Sequence, residues 1–230
     1  DYVSDIISGK SEWVCLRCPA NSIARKLIEY SMVPIVAPSA NMSGKITSTY
    51  KDHVINYFNH SDVSILVDPE PCSIGVESSI VKISDNNISI VRPGIITIDH
   101  IKLCIDSIKH ANVKFKTCPV SDQVEHPGSS ISHYATNKKT LLFNFIDTEF
   151  AKEAKVDTNI TDSLSKSIDY YLSQSACIDF NSKNFHMRDK FGAYVDLSKD
   201  GSVEEALFNL YNVLHQLNDI DVANILIFDF

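Results

Sequence analysis

Ser39, Asn41 and Ser43 fall within five residues in the loop Pro38-Ser39-Ala40-Asn41-Met42-Ser43-Gly44, just after the apolar run Val33-Pro34-Ile35-Val36-Ala37. That run reads as a buried strand. Open α/β sheets bind ligands beyond the C-terminal ends of such strands. Hydroxyls, an amide and loop N–H groups suit phosphate oxygens and nucleotide edges, and Thr47 and Ser48 extend the polar run. The same residue types also close hydrogen-bonded turns, so the loop by itself reads either way. A second candidate is Gly75-Val76-Glu77-Ser78-Ser79, where glycine lets backbone approach a ligand and Ser78 offers a hydroxyl to a small polar group. A third is Val91-Arg92-Pro93-Gly94. Arg92 leaves a strand with stiff backbone behind it, the posture of a phosphate clamp or of a surface ion pair. Arg17, at the end of Trp13-Val14-Cys15-Leu16-Arg17, has the same two readings. Arginine is the better bidentate partner of phosphate and carboxylate, and the chain holds only four: Arg17, Arg25, Arg92 and Arg188. No phosphate loop, G-x-G-x-x-G, H-E-x-x-H or G-x-S-x-G is present.

The elements that must position these residues alternate. A strand over 13–17 leads through Pro19 to a helix capped by Asn21, with Ile23, Leu27 and Ile28 on its apolar face. After the strand at 33–37 and the polar loop comes a helix over 49–58, with Val54 and Phe58 inward, and a strand at 64–68. Residues 79–83 and 88–92 alternate around Asp85-Asn86-Asn87 and read as a hairpin. A helix follows over 97–109. Residues 111–137 hold two prolines, few apolar clusters and the run His126-Pro127-Gly128-Ser129-Ser130, the composition of a linker. Beyond it, a strand at 140–145, helices at 163–172 and 204–217, and a strand at 223–230 make an α/β unit. The second helix carries Leu207, Leu210, Leu214 and Leu217 on one stripe. The reading is therefore two domains, 1–110 and 138–230, around a linker at 111–137.

Charge and cysteines narrow the classes. With 21 basic and 29 acidic side chains the net charge is −8, so a global nucleic-acid footprint is absent. Residues 1–110 carry 10 basic and 12 acidic groups and residues 138–230 carry 9 and 15, so a polyanion meets the first half more readily. Hydrophobic residues at 44% and 230 residues in all are enough for a core that needs no disulfide or metal. Six scattered cysteines then read as reduced thiols of an intracellular protein. Cys15-x-x-Cys18 lacks the second pair of a zinc site and the helix start of a redox motif, and reads as strand packing. No apolar run is long enough to cross a membrane. The opening Asp1-Tyr2-Val3, without Met, reads as part of a longer chain.

Taken in order, V-C-L-R-C-P, A-P-S-A-N-M-S-G, G-V-E-S-S-I-V and V-R-P-G-I-I-T resemble the YrdC-type threonylcarbamoyl-AMP synthase family over most of residues 13–100. His126-Pro127-Gly128 through Ser132-His133-Tyr134-Ala135 is similar to the linker of its long, two-domain form, although Ser129-Ser130-Ile131-Ser132 stand where that linker has Met and basic residues. The helix over 204–217, Asp219 and the strand after it are similar to the accessory domain of that form. The resemblance implies an α/β fold: part of a YrdC-like twisted, open mixed sheet with helices, a long linker, then a smaller Rossmann-like α/β domain.

The family joins L-threonine, bicarbonate and ATP into threonylcarbamoyl-AMP and pyrophosphate, for modification of tRNA by downstream threonylcarbamoyl transferase machinery. By resemblance, Arg17 pairs with the threonine carboxylate, Ala37 contacts threonine through its backbone and Ser78 holds it. Ser39, Asn41, Thr47 and Arg92 face ATP, and His133 and Tyr134 lie on the linker that closes over the site. Trp13 lies near the nucleotide or in the strand core. Mg2+ accompanies ATP, no metal site is implied in the protein itself, and the setting is cytoplasmic. The family's Lys-x-Arg pair precedes the stretch matched here, so residues 1–230 alone are expected to release little pyrophosphate. Two other readings remain. One is a carbamoyl-adenylate enzyme of hydrogenase maturation, whose acylphosphatase-like segment and zinc-finger cysteine pairs are missing here. The other is a non-catalytic nucleotide- or RNA-binding module.

Overall fold

The hairpin forms where alternation puts it. Strands β1 (Ile80–Ser84) and β2 (Asn87–Arg92) pair antiparallel, with Ile80 opposite Arg92. The computed structural model describes residues 3–8, 10–85, 87–108, 114–115, 134–143 and 158–228. Strand β3 (Lys114–Phe115) adds in parallel to β2 and completes a three-stranded mixed sheet. Around it lie α1 (Asp5–Ser8), α2 (Ser22–Ser31), α3 (Lys51–Phe58) and α4 (Ile98–Asp106). Asn21 caps α2 as its sequence position suggests, accepting from the Ala24 amide at 2.9 Å. On its face Ile23 is half-buried, whereas Leu27 and Ile28 are exposed. Val54 and Phe58 of α3 are half-buried. Thr97 caps α4 through the His100 amide.

Three apolar runs do not become strands. Residues 13–17, 33–37 and 64–68 join no ladder, and Leu16, Val36 and Leu66 are 89%, 66% and 72% exposed. An apolar run settles as a strand only when a neighbour takes up its N–H and C=O groups. Among the described residues nothing pairs with these three. The same fact corrects two smaller readings. Cys15 and Cys18 are exposed free thiols rather than packed strand residues. Trp13 is 40% exposed, with the Lys82 ammonium 4.3 Å above its ring, and is no part of a strand core.

The second sheet is fully parallel. Strands β4 (Lys139–Phe143), β5 (Ser175–Asp179), β6 (Ala193–Asp196) and β7 (Asn224–Phe228) lie in the order β4-β7-β5-β6. Helix α5 (Thr158–Ser173), a 3-10 turn at Phe185–Lys190 and α6 (Val203–Asp219) connect them. The parallel order makes this an α/β unit of the Rossmann kind. Every residue of β5 is buried, which explains why Ser175-Ala176-Cys177-Ile178-Asp179 gives no alternation to read. Ser202 caps α6 by accepting from the Glu205 amide, and Glu204 and Glu205 suit the positive end of its dipole. The leucine stripe turns inward: Tyr211, Val213, Leu214 and Leu217 are buried against Ile178 and Ile225. Among the described residues no helix is long and apolar enough to cross a membrane.

The two halves share a core. Ile46, from the first half, is fully buried in the same cluster as Leu214 and Leu217. Lys45 forms a parallel bridge with Ala135, whose amide donates to the Gly44 carbonyl at 2.8 Å. Gly75 is buried where α6 passes, and a Cβ there would run into the carbonyls of Leu207 and Phe208. That glycine therefore admits a helix of the second half, not the ligand its loop context suggests.

Candidate active site

Arg92 is the centre of the site. It ends β2 opposite Ile80, so its guanidinium reaches back to the residues just before β1. Nε donates to the Ser78 carbonyl at 3.0 Å and Nη2 to Ser78 Oγ at 3.1 Å. Nη2 also lies 3.5 Å from Glu77 Oε2. The other carboxylate oxygen, Oε1, accepts from Thr47 Oγ1 at 2.7 Å. Gly94 makes this turn possible. A Cβ there would meet Ser79 N at 2.5 Å and Glu77 O at 2.8 Å, so only glycine lets the chain after Pro93 lie against residues 77–79. Arg92 is 9% exposed. It is a buried charge with a carboxylate partner, not the surface ion pair that a lone arginine at a strand end suggests. Burial without a partner would be costly, so Glu77 is integral to the site.

Tyr134 closes the constellation from the linker side. It hydrogen-bonds Arg92, and its ring stacks on Tyr211 of α6 at 5.7 Å and 21°. Burial, then the charge of Glu77, pushes the acidity of both phenols down, so both stay neutral donors. A carboxylate, a guanidinium, hydroxyls and phenols converge where the linker and α6 meet the first sheet. Such a set can bind an anion or a polar small molecule and orient it. Among the described residues no three His, Cys, Asp or Glu side chains converge as a metal site.

Comparison with known proteins identifies the chain. Residues 1–94 match a family model described as telomere recombination, of the Sua5, YciO and YrdC proteins. Residues 96–230, more than half of the chain, match the model of the threonylcarbamoyl-AMP synthase C-terminal domain. The chain belongs to the threonylcarbamoyl-AMP synthase family. Curated relatives include the threonylcarbamoyl-AMP synthases of Pyrococcus abyssi, 34% identical over 143 residues, and of Bacillus subtilis, 36% identical over 138 residues. These alignments cover 62% and 59% of this chain but 41% and 38% of the relatives, so the match spans about two-fifths of their length. The crystal structure of P. abyssi Sua5 complexed with L-threonine superimposes with a TM-score of 0.71 at 25% identity, covering 99% of this chain and 62% of that one.

In this chain the structure brings together four of the residues marked by sequence: Thr47, Ser78, Arg92 and Tyr134. They come from the polar loop, the G-V-E-S-S run, the R-P-G turn and the linker. Asn41 is half-buried and braces its own loop, with Nδ2 donating to the carbonyls of Met42 at 2.9 Å and Lys45 at 3.1 Å. Its Oδ1 is buried without a partner among the described residues. Ser39 is half-buried in the same loop. Arg17 and Ala37 are exposed and stand on runs that join no sheet. His133 lies outside the described residues, as do His126, Pro127 and Gly128. Sequence reading missed Glu77 and Tyr211. Glu77 sat inside a quoted motif, beside Ser78. Tyr211 lies one helical turn beyond Leu207 on the apolar stripe, which marked it only as core.

Proposed function

We propose that the protein of which this chain is a part or the whole is an L-threonylcarbamoyladenylate synthase, working in the cytoplasm on L-threonine, bicarbonate and MgATP. The convergence of Thr47, Ser78 and Arg92 from three separate motifs around Glu77 supports this most directly. A carbamate made from the threonine amine and bicarbonate presents an oxygen to the α-phosphorus of ATP. The new P–O bond forms as the bond to the β-phosphate breaks, and pyrophosphate leaves. Such a step asks for alignment and charge neutralisation more than for an acid or base, and a set of hydroxyls, an amide and arginines suits it. Arg17 and Ser78, with the Ala37 backbone, take threonine. Ser39, Asn41, Thr47, Arg92, His133 and Tyr134 take the nucleotide. Magnesium arrives on the phosphates of ATP. The product passes to a transferase that modifies tRNA.

Titration calorimetry with L-threonine tests the substrate assignment. Arg17→Ala in the full chain should weaken threonine by about 1.5–3 kcal/mol, the range for a hydrogen bond to a charged group, with MgATP affinity unchanged. Arg17→Lys should also fail, because a point charge does not rebuild the bidentate fork. Equal losses for threonine and MgATP would remove Arg17 from the threonine site.

A further inference from the structure

Tyr211 belongs to the accessory half, yet its ring lies against the linker residue that touches Arg92. Tyr134 has φ 57°, in the left-handed region. A non-glycine residue stays there only when its surroundings hold it. Two restraints lie in the residues just after it. The Ala135 amide donates to the Gly44 carbonyl at 2.8 Å, and Lys45 Nζ donates to Asn137 Oδ1 at 2.7 Å. On the side-chain side the ring of Tyr211, stacked at 5.7 Å and 21°, adds to the hydrogen bond with Arg92. Tyr211 is 8% exposed and packed in the core cluster with Ile46 and Leu214, so its plane is fixed by the core that the two halves share.

We propose that Tyr211 is a positioning residue: through its ring stack it holds Tyr134, and with it residues 134–137, against Arg92 and Glu77. The accessory domain thus sets the geometry of a site built on the first sheet, and α6 carries the linkage. Tyr211 acts through Tyr134, and both halves of the molecule must be docked for the constellation to be complete. Its kinetic consequence rests on the proposed function, because the ligand that would feel the displaced Tyr134 is the nucleotide.

Three variants of the full chain test it: Tyr211→Leu, which keeps apolar bulk but loses the planar face, Tyr211→Phe, which keeps the ring, and Tyr134→Ala. Hydrogen exchange at the Ala135 amide is the first readout. It should quicken about tenfold in Tyr211→Leu, return to the wild-type rate in Tyr211→Phe, and leave the amides of β5 and β7 unchanged. The KM for MgATP is the second readout. Tyr211→Leu should raise it about tenfold with kcat within threefold, and adding Tyr211→Leu to Tyr134→Ala should change nothing further. An Ala135 amide that exchanges at the wild-type rate in Tyr211→Leu would overturn the proposal, as would KM effects of Tyr134 and Tyr211 that multiply. If the whole wild-type protein that carries this chain turns over no MgATP, the proposed function fails and the exchange readout alone decides Tyr211.

Discussion

His53 ties the two halves together in a way that acid should undo. It sits on α3, 8% exposed, with its ring stacked on His215 of α6 at 3.7 Å and 19°. Its Nδ1 accepts from the Thr49 amide at 3.2 Å and the Tyr50 amide at 3.4 Å, so a proton on Nδ1 would face two donors. Burial, then the neighbouring His215, lowers its pKa from 6.5 to about 4, against smaller raising effects of Asn212 and Asp52. On the other face of the stack, burial lowers His215 too, opposed by its hydrogen bond to the Thr47 carbonyl and by Asp219, and Tyr57 lies edge-on to its ring. The unfolded chain therefore binds a proton at His53 that the folded one refuses. The stability at stake is intact above pH 6.5 and is lost as pH falls toward 4. The linkage integral is about 0.8 kcal/mol at pH 6 and about 2 kcal/mol at pH 5. Urea unfolding of the wild type and of His53→Phe at pH 7.5, 6 and 5 measures it. His53→Phe keeps an aromatic ring in the stack but cannot titrate, and the carboxylates common to both proteins cancel in the difference. The wild type should lose about 2 kcal/mol relative to His53→Phe between pH 7.5 and 5. A difference that stays constant over that range would refute the reasoning, because it would mean that His53 takes up protons equally in both states.

The remaining predictions concern the site and the docking of the halves. Glu77→Ala should cost about 3–5 kcal/mol in urea unfolding, because it leaves Arg92 buried beside no carboxylate. Glu77→Gln, which still accepts from Thr47, should cost about 1.5–3 kcal/mol; a loss below about 1 kcal/mol in both would contradict the ion pair. Gly75→Ala drives a Cβ into the backbone of α6 and should lower stability by about 1–3 kcal/mol. Ser79, two residues beyond Glu77, accepts from the Ile96 amide and donates to its carbonyl through Oγ, and Ser79→Ala should cost about 1 kcal/mol, seen as a shift of the urea midpoint without a change in slope.

Local pattern carried some of this and not the rest. The alternation of Ile80–Ser84 and Asn87–Arg92 was enough to place the hairpin, and its register brings Arg92 back to Ser78. The cap at Asn21 and the stripe of α6 were legible because each depends on residues three or four apart. The apolar runs at 13–17, 33–37 and 64–68 look like strands by composition, but a strand is a property of two segments, and among the described residues these have no partner. Strand β5 escaped notice for the opposite reason: buried on both faces, it needs no alternation. At the site, Ser78, Arg92 and Thr47 were marked by motif order. Glu77 became visible only once Arg92 was seen to be buried and to need a counter-charge. The stack of Tyr134 on Tyr211 joins residues 77 positions apart, and no local spacing encodes it.

The central claim is that this chain serves the adenylation of a threonine carbamate. Pyrophosphate release by the whole protein that carries this chain, measured with MgATP, L-threonine and bicarbonate and with each omitted in turn, tests it most directly. The account predicts release only when all three are present, with a matching amount of threonylcarbamoyl-adenylate seen by mass spectrometry, and a loss of both signals in Arg92→Ala. Pyrophosphate released without threonine or bicarbonate, or no release from any mixture, would contradict it.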